Sequence, residues 1–258
     1  MIKISFLVIA NIVFLSFISK AQKPREFYQV TVYHFNSPEQ ENSIDIYLKE
    51  AYMPALRKKG IKNIGVFKPL ANDTAVNKRI YIVIALKTLH QIIDIPEQIS
   101  KDKQYLQTGK EYMDAVYNNP PYTRMENIII KAFQLAPVMN LPKLSGPKPE
   151  RIYELRSYEG PTEKLYKNKV RMFNQGGEIS LFSRLKFNAI FYGEVIAGSR
   201  MPNLMYMTSF ENKDDRDAHW KTFSADPEWK KISALPEYQN NVSRNETILM
   251  HAADYSDY

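Results

Sequence analysis

The sequence has no cysteine. That excludes a disulfide framework, a thiolate nucleophile and an acylated cysteine at a leader cleavage site. Histidine is sparse, and His34, His90, His219 and His251 show no metal-ligand spacing. A glycine-rich phosphate loop is missing, because Gly176-Gly177 has neither a strand before it nor Lys-Ser after it. Gly-x-Ser-x-Gly is absent too, which removes the serine hydrolase elbow. The net charge is +7, yet the basic residues form no stripe, and Arg57-Lys58-Lys59 is their densest run. Scattered cations suit helix ends and solubility, so no nucleic-acid partner is expected. Asp214, Asp215 and Asp217 suit the start of a helix better than a calcium site. No metal or other cofactor is expected.

What is present begins with a leader. Lys3 precedes an apolar run from Ile4 to Ile18, and Ser19-Lys20-Ala21 follows. A basic start, a short apolar core and small residues at the cleavage positions describe a secretory signal peptide over residues 1–21. The run is shorter than the roughly 20 residues that span a bilayer. The expectation is an exported protein, periplasmic or secreted, that begins near Gln22 and has no stable membrane insertion. Lys3 and Lys20 leave with the leader, so the mature charge is +5.

The rest of the chain reads as one unit written twice. Phe27 to Phe35 alternates like a strand, and Glu39 to Lys59 has helical spacing, with Pro54 expected to bend it. Strands are expected at Ile61–Lys68 and Lys78–Lys87. A helical stretch from Leu89 to Val116 should break near Pro96, and Arg124–Gln134 closes the set as a strand. Residues 136–149 hold four prolines and no periodicity, which describes a semi-rigid linker. The order then recurs: strand Arg151–Tyr158, helix Thr162–Gln175 resuming at Glu178–Leu185, strands Phe187–Ile196 and Asn203–Glu211, helix Lys213–Trp229 in two pieces, strand Ser243–Ala252. The expected division is 22–135, linker 136–149 and 150–258. Tyr33/Tyr158, Asn63/Asn188 and Tyr81/Tyr206 are each separated by 125 positions, and Arg124/Arg244 and Ile128/Ile248 by 120. A near-constant offset is the mark of tandem duplication.

Each β-α-β-β-α-β unit predicts a ferredoxin-like α+β fold, an antiparallel sheet with both helices on one face. The bare face of such a sheet needs a cover. Two tandem units on one chain provide it for each other, as a barrel between two helix layers. The expected particle is therefore a monomer with an internal pseudo-dimer.

Four motifs carry a resemblance. They are Arg151-Ile-Tyr-Glu-Leu-Arg-Ser-Tyr158, Phe191-Tyr-Gly-Glu194, Pro202-Asn-Leu-Met-Tyr-Met207, and His219-Trp220 followed by Asp226-Pro227-x-Trp229. Together they make the second half resemble a NIPSNAP domain, of the dimeric α+β barrel superfamily. The first half shares it only through the repeat and lacks the tryptophan marks. The superfamily includes cofactor-free monooxygenases, haem-degrading enzymes and binding proteins, so the fold alone leaves function open.

Strand alternation supplies the candidate residues. Glu154, Arg156 and Tyr158 share one face of their strand, and Tyr153 and Leu155 the other. If the apolar pair faces the helices, the polar set points into the barrel, where with Tyr192 and Tyr206 it suits a polar or anionic ligand. The competing reading makes Glu154 and Arg156 an ion pair that helps two sheets recognise each other. His219 is either a ligand-facing histidine, a base or a haem ligand by resemblance, or a half-buried helix residue beside a Trp220, Phe223 and Trp229 core. Asp226-Pro227 reads as a helix cap with proline at the first helical position. Two functions follow: non-catalytic binding of a small molecule or a protein partner, or a cofactor-independent monooxygenase acting inside the barrel.

Overall fold

The computed structural model describes residues 24–258. The expected signal peptide and the expected start near Gln22 lie outside the described residues. Among those residues, no helix is long and apolar enough to cross a membrane.

The first unit runs β1 (Phe27–Phe35), α1 (Pro38–Ile46), α2 (Met53–Lys58), β2 (Gly65–Pro69), β3 (Lys78–Leu86), α3 (Gln91–Ile99), α4 (Lys103–Thr108), α5 (Lys110–Met113) and β4 (Arg124–Ala132). Between α1 and α2 the chain stays helical but widens into a π-turn over Tyr47–Tyr52. Pro54 explains it: proline has no N–H to donate and its ring crowds the carbonyl four residues back, so the backbone opens just before it. Pro96 does not break its helix. It sits inside α3, and the interruption falls after Ile99, where Asp102 caps α4 by accepting from the Gln104 and Tyr105 amides.

The second unit repeats the order as β5 (Ile152–Glu159), α6 (Glu163–Asn174), α7 (Glu178–Arg184), β6 (Asn188–Ala197), β7 (Asn203–Phe210), α8 (Lys213–Ala225), α9 (Pro227–Ser233) and β8 (Arg244–Ala252). Thr162 caps α6, and Gly177, at φ +94°, takes the left-handed turn that starts α7. Asp226 accepts from the Glu228 and Trp229 amides, with Pro227 at the first helical position of α9.

All eight strands join one closed barrel in the order β1-β3-β2-β8-β5-β7-β6-β4. Each unit contributes four antiparallel neighbours, and the seams β2–β8 and β4–β6 close the ring. The fold is thus the α+β arrangement of two tandem ferredoxin-like units forming an intramolecular dimeric α+β barrel. It has three apolar cores. One lies between the first unit's sheet and its helices, one between the second unit's sheet and its helices, and the third fills the barrel.

The barrel interior corrects the expected facing of β5. Tyr153 and Leu155 point inside, beside Tyr28, Phe67, Phe191 and Met207, and Glu154, Arg156 and Tyr158 face the helices. The interior is enclosed on every side by strands, so it takes the driest members of each strand. The helix layer tolerates charge because α8 brings partners for it. The register also corrects one repeat pair. Tyr81 lies opposite Val32 and Tyr206 opposite Arg156, one step apart in the duplicated frame. A one-residue step reverses the face, so Tyr81 lines the barrel and Tyr206 the helix layer.

A fragment of residues 150–258 exposes the β6 and β8 edges and one wall of the barrel core. It should self-associate in size-exclusion chromatography with light scattering, whereas residues 22–258 should elute as a monomer. A soluble, cooperatively folding monomeric fragment would contradict the interdependence of the two units.

Candidate functional site

Three places hold polar side chains in defined geometry. The first is the layer between β5, β7 and the second unit's helices. Glu154 is fully buried and accepts from Arg156, from Arg216 Nε at 2.7 Å and from Trp220 Nε1 at 2.8 Å. Arg156 also donates to the Tyr158 hydroxyl at 3.0 Å, and that hydroxyl lies 2.9 Å from the Tyr206 hydroxyl. The Arg156 guanidinium stacks on Trp220, 3.8 Å from the ring centroid. Nearby, Lys169 Nζ donates to Glu178 Oε2 at 2.9 Å, with the ammonium 4.8 Å from the Phe173 ring centroid.

The structure therefore unites Glu154, Arg156, Tyr158 and Tyr206, and Tyr192 stacks against Tyr206 with ring centroids 5.7 Å apart. His219 stays apart. Its Nδ1 lies 2.8 Å from the Asp215 carbonyl oxygen, and its ring packs on Phe187 and Phe210. Trp220 and Trp229 are half-buried at the margin of the second unit's core.

Burial pushes the Glu154 carboxyl up, but hydrogen bonds and charge from Arg216 and Arg156 outweigh it and hold the group below the usual carboxylate range. Glu178 goes the other way, because complete burial raises it despite Lys169. Glu154 remains ionised and serves two guanidinium groups and an indole. The arrangement is a self-satisfied ionic cluster, and its charged atoms are spent on one another.

The second place is one mouth of the barrel. His34 Nε2 lies 3.0 Å from Glu126 Oε1, and Glu246 holds both Arg79, at 3.3 Å, and Arg200. Glu126 opposes Val32 on β4, and Glu246 opposes Ser157 on β8, so the two carboxylates are repeat equivalents. The cavity beneath them measures about 50 Å³, enough for a few waters. The opposite mouth is plugged by Tyr258, whose ring packs on Phe67 and whose hydroxyl donates to Met139 Sδ at 3.1 Å.

The third place is a groove of about 760 Å³ in the second unit, between the linker and the α7–β6 turn. Pins hold the linker at both ends. The Asn140 amide donates to the Ile190 carbonyl at 2.9 Å and the Met139 amide to Glu26 Oε2 at 2.7 Å. Further on, the Ser145 and Gly146 amides donate to the Glu211 carboxylate at 2.9 and 2.7 Å. The strap between these pins stands over a wall formed by Ile179, Phe187, Ala189 and Tyr192.

With this geometry in place, comparison with known proteins becomes informative. Residues 153–257 match the NIPSNAP family model. That match falls wholly within the second unit. A search of curated proteins finds no match. Among solved structures, a candidate monooxygenase from Lactobacillus acidophilus matches with a TM-score of 0.57 at 10% identity, over 88% of this chain and 94% of its own. Another candidate monooxygenase, from Fusobacterium nucleatum, matches with a TM-score of 0.56 at 7% identity, over 89% and 93%. These matches span both units and place the chain in the same barrel fold. A NIPSNAP family protein from Agrobacterium tumefaciens aligns at 19% identity over 42% of this chain and 97% of its own, with a TM-score of 0.37.

Sequence reasoning found the Glu154–Arg156 pair beside Tyr158, and missed its partners Arg216 and Trp220, the mouth and the groove. The mouth had left a signal. Glu126 and Glu246 share the spacing of Arg124/Arg244 and Ile128/Ile248. The groove had left none, because the strap residues are ordered by distant pins.

Glu154→Gln leaves Arg156 and Arg216 without a countercharge in a buried layer, and should cost about 3–5 kcal/mol in chemical denaturation. Because the folded carboxyl is held low, its contribution is present above the unfolded value and lost as pH falls through the folded one. Wild-type melting temperatures should therefore drop below ~pH 4, and the Gln variant should show a shallower acid limb.

Proposed function

We propose that this protein is an exported, non-catalytic barrel that binds a small molecule in the groove beside the NIPSNAP domain's α7. The supporting observation is the groove itself. At about 760 Å³ it lies within the roughly 300–1,000 Å³ of small-molecule sites, and its lining sets Leu141, Ile179 and Ala189 beside Asn140, Ser183 and Asn188. Export rests on the leader sequence. Absence of catalysis rests on the polar clusters, whose acids and bases are occupied by one another.

A cofactor-independent oxygenase is the second reading, favoured by the shared shape with the candidate monooxygenases. The filled barrel interior moves any such substrate out of the barrel and into the same groove.

Leu141 lines the groove and is 47% exposed, so Leu141→Glu should leave stability within about 0.5 kcal/mol. Titrated with the neutral apolar dye Nile red, residues 22–258 should give saturable fluorescence, and Leu141→Glu should abolish most of it. Equal dye binding by both proteins would remove the groove as the site. Conversion of a bound compound to an oxygenated product under air would favour the oxygenase.

A further inference from the structure

The geometry points to a single-chain amphiphile with a carboxylate head, of the long-chain fatty acid type, as the groove's ligand. The inference rests on the groove being the binding site and adds the chemistry of what it takes. Its two banks differ from the polar clusters in one respect. Lys143 stands on the strap and Lys186 on the turn after α7, both line the groove, and the lining contains no Asp or Glu. Both lysines are solvent-exposed, and neither forms an ion pair among the described residues. Of the other lysines and arginines that border the described cavities, Arg25, Arg79 and Arg200 are tied to carboxylates, whereas Lys143 and Lys186 share one groove with no acid in its lining. Two untied cations beside a mixed wall, in which Ile179, Phe187 and Ala189 alternate with Ser183 and Asn188, create a local demand for one anion on an apolar body.

The apolar part has a matching surface. Leu135 and Val138 before the first pin and Leu141 on the strap are exposed although large and hydrophobic, and all three line the groove with Ile179 and Phe187. An acyl chain laid between the banks would take this surface out of water. The lining offers two ammonium point charges and no guanidinium fork, so it selects the head by charge alone. A carboxylate, as a monoanion, costs less to take out of water at an apolar edge than a phosphate dianion does.

The test uses residues 22–258 and displacement of Nile red by dodecanoate, dodecanol and dodecyl phosphate below their micelle concentrations. Dodecanoate should displace the dye about tenfold more effectively than dodecanol. The double variant Lys143→Gln/Lys186→Gln should erase that difference while leaving dye binding intact. Equal potency of dodecanoate and dodecanol, or tighter binding of dodecyl phosphate, would overturn the carboxylate assignment and leave the groove standing. Failure of every amphiphile, with dye binding insensitive to Leu141→Glu, would overturn the groove reading as well.

Discussion

Edge pairing is the constraint on which this structure depends. A four-stranded ferredoxin-like sheet has two open edges and one bare apolar face, and both are costly in water. Here the β2 edge of the first unit meets β8, and its β4 edge meets β6, so the same two seams satisfy the edges and enclose the faces. The seams are short. β2–β8 is in register only over Phe67–Pro69, and β4–β6 carries a bulge between Ile129 and Ile130. Side chains reinforce them. Arg25 reaches Glu194 at 3.0 Å, and Asp257 accepts from the Ile64 amide at 2.7 Å and pairs with Arg57 at 2.6 Å. Closing the ring with few backbone bonds works because the barrel core behind them is dry and continuous.

The two halves share topology but hold their helices differently. In the first, Tyr47 stacks on Tyr112 with centroids 3.8 Å apart and shares a 2.8 Å hydrogen bond with Tyr105. Tyr33 packs edge-on against Tyr112, and these rings sit among aliphatic side chains such as Ile44, Leu48 and Ile84. In the second, Tyr158, the repeat equivalent of Tyr33, belongs to an ionic layer centred on Glu154. The two units share a backbone plan and differ in their buried contacts. A buried carboxylate with two guanidinium partners demands specific geometry, which fixes α8 against β5 more narrowly than apolar packing alone would.

The linker then acquires a role that its composition only partly foretold. Proline made it stiff, as the sequence suggests. Its position over α7 comes from Glu26 and Glu211, which lie on either side of it in the chain and accept its amides. A strap held at its ends leaves a gap at its middle, and that gap is the groove.

The sequence by itself determined the order of elements, the cap at Asp226, the repeated unit and the motifs it shares with the NIPSNAP family. Those features are local, written in periods, in cap residues and in spacing that repeats. It also placed Glu154, Arg156 and Tyr158 on one face of a strand, because alternation is a property of the strand alone. Which face points inward was decided only by the tertiary structure. Both faces of β5 are covered, one by the barrel and one by helices, so burial on both sides removes the polar-out signal that would have oriented it. Nor does spacing along the chain reveal that Arg216 and Trp220 on α8 converge on Glu154, or that Lys143 and Lys186 share a groove. Those meetings depend on how elements distant in sequence dock, and docking follows from the shape of the closed barrel.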